Sequence, residues 1–163
     1  MKTIVHLTFA AAASAAILAA PVAAGQDDGI VVTSPAAMTE WIADMNAQLD
    51  RQLIRSDGHR NPGVMSAIVQ LRFTLDEAGK PTNLQTLHHS GSRRAARVAK
   101  MAVRNLRGFD RVPVTGASDA TYQANLVFAR NSGEGETLKA ELADLERVRL
   151  AAGDGADVIM LGG

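Results

Sequence analysis

Val69-Gln70-Leu71-Arg72-Phe73-Thr74-Leu75-Asp76-Glu77-Ala78-Gly79-Lys80-Pro81-Thr82 decides the fold class. Ala67, Val69, Leu71, Phe73 and Leu75 alternate with Ile68, Gln70, Arg72, Thr74 and Asp76. A period of two predicts a strand with one buried face and one mostly wet face. Asp76 to Pro81 is turn chemistry, so a second strand is predicted from Thr82 to about His89. Leu84 and Leu87 fall on opposite faces of that strand, which implies a bulge or burial on both sides.

Towards the N-terminus the period changes. Ser34-Pro35 reads as an N-cap followed by Pro at the first helical position. Met38, Trp41, Ile42, Met45, Leu49 and Leu53 then recur at three or four residues, the stripe of an amphipathic helix ending near Arg55. Towards the C-terminus, Ser90-Gly91-Ser92 breaks the chain, and Ser92 is a plausible cap for a helix from Arg93 to Arg107. Ala95, Val98, Ala99, Ala102 and Leu106 make its inner face. A loop from Gly108 to Ala120 leads to a third strand, Thr121 to Ala129, with Tyr122, Ala124, Leu126 and Phe128 on one side. Asn131 to Glu136 reads as a linker and Thr137 to Ala151 as a tail helix. The Gly-rich end, Gly153 to Gly163, is expected to be loosely ordered. The order predicts an α+β domain: a small three-stranded antiparallel sheet with two helices packed on it, plus a C-terminal tail helix.

Several of these segments resemble the TonB C-terminal domain family. The strand–turn–strand from Val69 to Thr82 looks like that family's signature, and His89-Ser90-Gly91 resembles the Ser-Ser-Gly closing its second strand. Ala95-Ala96-Arg97-Val98-Ala99 to Leu106 resembles its Ala-rich helix, and Tyr122 to Phe128 its last strand. The preceding helix with Trp41 is closer to TolA-like periplasmic domains. The likeness covers residues 35–130 and departs from the family in four places, the first being His89 in place of the first Ser of Ser-Ser-Gly. Arg93-Arg94 stand where an acid is usual, a Tyr-Pro element before the first strand is absent, and no Pro-rich spacer is seen. Gly25 to Ser34 is ten residues, at most ~35 Å extended, too short for a rod across the periplasm.

Composition narrows the function classes. The 163 residues carry 17 Lys+Arg against 17 Asp+Glu, a balance without the basic excess of a nucleic-acid binder. The absence of Cys excludes disulfides, thiolate metal sites and cysteine nucleophiles. Residues 1–24 have the pattern of a secretory signal: Lys2, an uncharged Ala-rich stretch, then Val22 and Ala24 before a cut after Ala24. The alternative is a retained inner-membrane anchor, since Thr3 to Ala24 is long enough to span, but Ala makes it weakly hydrophobic. The expected location is the periplasm, and residues 25–34 form a short lead-in.

No catalytic, metal or cofactor site is expected. His88-His89 are strand neighbours facing opposite sides, and nothing in the spacing brings His59 to them. Ser90 lacks a Gly-x-Ser-x-Gly elbow. Gly79-Lys80 lacks the leading Gly of a phosphate loop and is followed by Pro81. The most distinctive surface is the stripe Arg93, Arg97, Lys100, Arg104 and Arg107. Its ordinary reading is a solvated face, but aligned cations repel one another, and a partner, an anionic envelope surface or Glu141, Asp144 and Glu146 of the tail helix would offset that.

The TonB/TolA resemblance implies a non-enzymatic module that pairs an envelope partner's peptide, such as a segment of an outer-membrane receptor, with an exposed sheet edge. The edge carried over is Tyr122, Gln123, Asn125 and Val127; the basic stripe is the second candidate surface. One alternative is a membrane-anchored energy transducer supporting transport across the outer membrane. Another is an unrecognised periplasmic enzyme, against which stand the missing Cys, few His and the lack of a paired carboxylate motif.

Overall fold

A computed structural model describes residues 31–32, 34–56, 65–154 and 158–163. The signal segment 1–24 and His59 lie outside them. A two-residue strand β1 (Val31–Val32) leads to α1 (Pro35–Ser56), β2 (Ala67–Leu75), β3 (Pro81–His89) and α2 (Arg93–Arg104). After a 3₁₀ turn at Phe109–Arg111 come β4 (Val114–Thr115), β5 (Thr121–Phe128), α3 (Ser132–Ala151) and β6 (Val158–Gly162). β1 and β4 form a small antiparallel ribbon; the main sheet runs β3-β2-β5-β6.

The fold is α+β with three helices on a four-stranded mixed sheet. The first three strands are antiparallel as expected, but β6 adds parallel to β5, so the sheet is not the three-stranded one read from the sequence. The β2–β3 turn follows from Asp76, whose Oδ1 accepts N–H bonds from Ala78 at 3.0 Å and Lys80 at 2.8 Å. Two register shifts break the β2–β3 ladder. They accommodate the irregular period of β3, where Leu84 packs on the core and Leu87 is exposed.

α1 and α2 cover one face. Ser34 Oγ accepts the Ala37 N–H at the start of α1, and Trp41, Met45 and Leu49 are buried from it. α2 brings Ala95, Val98, Ala99, Ala102 and Val103 against the strands, its alanines permitting close approach. Ser92 occupies the N-cap position, but its side chain makes no cap bond. Gly91 is required by contact rather than by the turn alone: at φ +68 an added Cβ would stand 2.0 Å from the Ser66 carbonyl oxygen. Phe109, Phe73, Tyr122 and Trp41 meet ring to ring at centroid distances of 5.1 to 6.0 Å. Burial pushes the Tyr122 phenol up to about 12, and its hydroxyl donates to the Ala117 carbonyl.

α3 covers the other face, so the alternation on β2 does not mark a wet side. Ile68 and Gln70 are as buried as their neighbours, and with Leu142 of α3 they lie outside the main core cluster. α3 begins five residues before the expected Thr137, because Asn131 Oδ1 accepts the Glu134 N–H and caps it. The stretch that reads as a linker is therefore the first turn of a helix.

Candidate functional site

The strand carried over as a partner-binding edge is an interior strand along most of its length. β5 pairs with β2 on one side and with β6 on the other, from Thr121↔Val158 through Gln123↔Met160 to Asn125↔Gly162. Tyr122, Gln123 and Asn125 are buried. Only Leu126, Val127 and Phe128 continue past the β6 ladder. The supposedly loose end fills the edge, its continuous apolar run packing on both sides of the sheet. Ile159 and Leu161 point into the core shared with α1 and α2, while Val158 and Met160 are half-buried on the α3 side.

Burying two such side chains gains about 3–6 kcal/mol, while fixing five backbones costs about 5–10 kcal/mol. The ladder hydrogen bonds, at about 0.5–1.5 kcal/mol each, make up the difference. β6 thus depends on its ladder bonds as well as on its two core side chains. It ends at Gly162, which has φ +75 and pairs with Asn125; a Cβ there would clash with the Asn125 carbonyl oxygen. Beyond it a groove of about 340 Å³ runs beside the last residues of β5, between Leu49 and Leu53 of α1 and Lys139 of α3.

Beneath α3 lies a polar layer that sequence reasoning missed. Glu146 Oε1 accepts from the amides of Gln70 and, at 2.6 Å, Gln123, while Oε2 accepts from Arg149 at 2.7 Å. Asn125 Oδ1 accepts from Gln70 at 3.2 Å and from Gln123 at 2.9 Å. Gln123 Oε1 and Arg72 Nε are buried without a partner among the described residues. Arg72 pairs with Asp154 at 3.0 Å, and that hydrogen bond lowers the Asp154 carboxyl below its usual range. Gln70↔Asn125 and Arg72↔Gln123 are opposite one another in the ladder. Matched polar pairs in two neighbouring strands were the available signal.

The basic stripe is present as a surface. Arg93, Arg97, Arg104 and Arg107 are exposed and Lys100 half-exposed. The tail helix does not offset it. α3 is across the sheet from α2, and its Asp144 and Glu146 pair with Arg147 and Arg149 of their own helix. Among the described residues no acid pairs with Arg93, Arg97, Lys100 or Arg104.

Ser90 and His89 have structural partners. Ser90 Oγ accepts the Ile68 N–H at 3.1 Å, and its own N–H donates to the Ile68 carbonyl, so it ties the β3 exit to β2. His88 and His89 stand opposite Gln70 and Val69, on different faces. His89 Nε2 lies 3.0 Å from the Ser92 carbonyl oxygen; His88 Nε2 is buried without a partner among the described residues. Among the described residues no cluster of three His, Asp or Glu is placed to hold a metal ion, and no helix is long and apolar enough to cross a membrane. No family profile, curated protein or solved structure matches the chain.

Proposed function

We propose that this chain is an exported, non-enzymatic protein-binding module of the cell envelope, akin to the TonB C-terminal domain, that takes an extended segment of a partner protein by strand addition along β5. The observation that carries this reading is the β5–β6 ladder: β5 accepts an added parallel strand over Thr121–Asn125. Backbone donors and acceptors on that side of β5 are thereby aligned for any chain of suitable shape. The order α1-β2-β3-α2-β5, with both helices on one sheet face, accords with the resemblance in the sequence. The partner is a periplasm-facing segment of an envelope protein, and export follows from the N-terminal segment.

Site-specific photo-crosslinking in the native cell tests this. A photoreactive residue at Val127 or Phe128 should capture an envelope protein, and one at Arg97 should not. Capture from Arg97 alone would move the site to α2. Recovery of a soluble periplasmic chain beginning at Gly25 would establish export and exclude the anchored transducer.

A further inference from the structure

On the strand-addition reading, the place for the partner is already taken by β6. We propose that β6 is a built-in competitor, a plug that a partner segment must displace, and that its side chains define what displaces it. Three observations converge on this. β6 is short and parallel, and it inserts only Ile159 and Leu161 into the core. It covers Thr121–Asn125 and leaves Leu126–Phe128 unpaired on that side. The groove of about 340 Å³ lies beside those uncovered residues.

A displacing segment therefore has an advantage that β6 lacks. The β6 ladder stops at Gly162, which pairs with Asn125 and donates its N–H to Asn46 Oδ1 at 2.8 Å. A segment that pairs beyond this point continues along β5 and reaches Leu49 and Leu53. The partner chemistry is an extended stretch of about eight residues, parallel to β5, with an aliphatic residue at every second position facing α1. On the side of α3, apolar residues like Val158 and Met160 alternate with these first, and small polar residues beyond the β6 ladder. The apparent affinity of such a segment is reduced by the fraction of chains with β6 in place, so weakening β6 must tighten binding. A strand with a purely structural role gives the opposite sign.

The native chain contains no Cys, so a T121C/V158C pair, neighbours in the ladder, locks β6 by one disulfide without competing thiols. The probe is the fluorescein-labelled peptide Lys-Lys-Val-Ile-Met-Leu-Thr-Leu-Thr-Val, titrated by anisotropy against the full chain. We expect binding to the reduced pair, at least tenfold weaker binding to the oxidised pair, and at least tenfold tighter binding to L161A than to the native chain. Circular dichroism checks that L161A is folded; if it is not, the oxidised and reduced forms still decide. Equal binding to both forms would overturn the plug while leaving addition along β5 standing, at Leu126–Phe128 beyond the β6 ladder. Binding to none of the forms would end strand addition itself. Concentration-dependent dimers of L161A that ignore the peptide would assign the slot to β6 of a second copy and overturn the proposal.

Discussion

Asn46 of α1 and Gly162 of β6, 116 residues apart, meet at one corner of the sheet: the Asn46 Oδ1 accepts the Gly162 N–H at 2.8 Å. After the end of α3, Asp154 is bonded by Arg72 and, through its carbonyl oxygen, by Arg149. The five-residue strand β6 is thus tied to α1 at its last residue, and the turn after α3 is tied to β2.

Removing the tie to α1 should loosen β6 before it loosens the domain. Asn46→Ala deletes a single hydrogen bond, about 0.5–1.5 kcal/mol, in a segment that depends on such bonds. The expected result is a roughly three- to tenfold rise in amide exchange along β6 and the facing side of β5. The exchange of β2 should be unchanged. Uniform acceleration across the whole sheet would mean that β6 opens only with global unfolding.

Trp41 is a core residue, as its place on the α1 stripe predicts. It is 7% exposed, stacks edge-on against Phe109 at 6.0 Å and donates its Nε1–H to the Gly108 carbonyl at 3.0 Å. Trp41→Ala should cost about 3–5 kcal/mol in urea unfolding, and Trp41→Phe distinctly less, since a ring still meets Phe109 while the hydrogen bond and the second ring's volume are lost. Equal costs for the two would mean that the indole N–H, not the packing, anchors α1.

The elements with one simple period were legible: α1, β2, α2 and β5 are where alternation or a three-four stripe puts them. What failed was the inference from polarity to exposure. Gln70, Gln123 and Asn125 are polar and buried, because Glu146 and Arg149 arrive from a helix that is itself polar and covers them. β6 was illegible for a related reason. Val158-Ile159-Met160-Leu161 is a short apolar run among glycines, and such runs carry no period of their own. Only the vacancy beside β5, a tertiary fact, makes it a strand.

The polar layer should behave as a unit. Glu146→Ala strips the shared acceptor from the buried amides of Gln70 and Gln123 and from Arg149. Asn125 Oδ1 still accepts from both amides and the Asp154 carbonyl from Arg149, so the loss should be about 1–3 kcal/mol rather than a collapse of the layer. Adding Arg149→Met to that background should cost less than Arg149→Met alone, because its carboxylate partner is already gone. Chemical denaturation of the four-member cycle measures this; strict additivity would mean that Arg149 acts through Asp154 rather than Glu146.

Acid should reach α3 through Glu134. A side-chain hydrogen bond from Arg130, followed by one from the Arg130 backbone N–H, lowers the Glu134 carboxyl from 4.5 to about 2. A depressed carboxyl contributes stability that is present above the unfolded value and is lost as pH falls through the folded one. The melting temperature should therefore fall between pH 4.5 and 2, and Glu134→Gln should flatten part of that fall. The same slope in Glu134→Gln as in the native chain would place the acid sensitivity elsewhere.

The two candidate surfaces make opposite predictions about charge. Arg97 and Lys100 pair with no acid among the described residues, so reversing them breaks no internal ion pair and relieves repulsion along α2. R97E/K100E should leave stability within about 0.5 kcal/mol of the native chain. Binding of the strand peptide should change by less than about twofold near 0.15 M salt, where exposed charges are screened over roughly 8 Å, because the slot lies beside α1 and β6. Proline substitution cannot make this distinction at Gln123 or Asn125. Both are buried in a strand paired on two sides, and a ring there removes a ladder bond from the sheet interior. Charge reversal keeps the fold and asks only where the ligand sits. A loss of peptide or partner binding that deepens as salt is lowered would put the ligand on the basic face of α2, and strand addition along β5 would be the wrong reading.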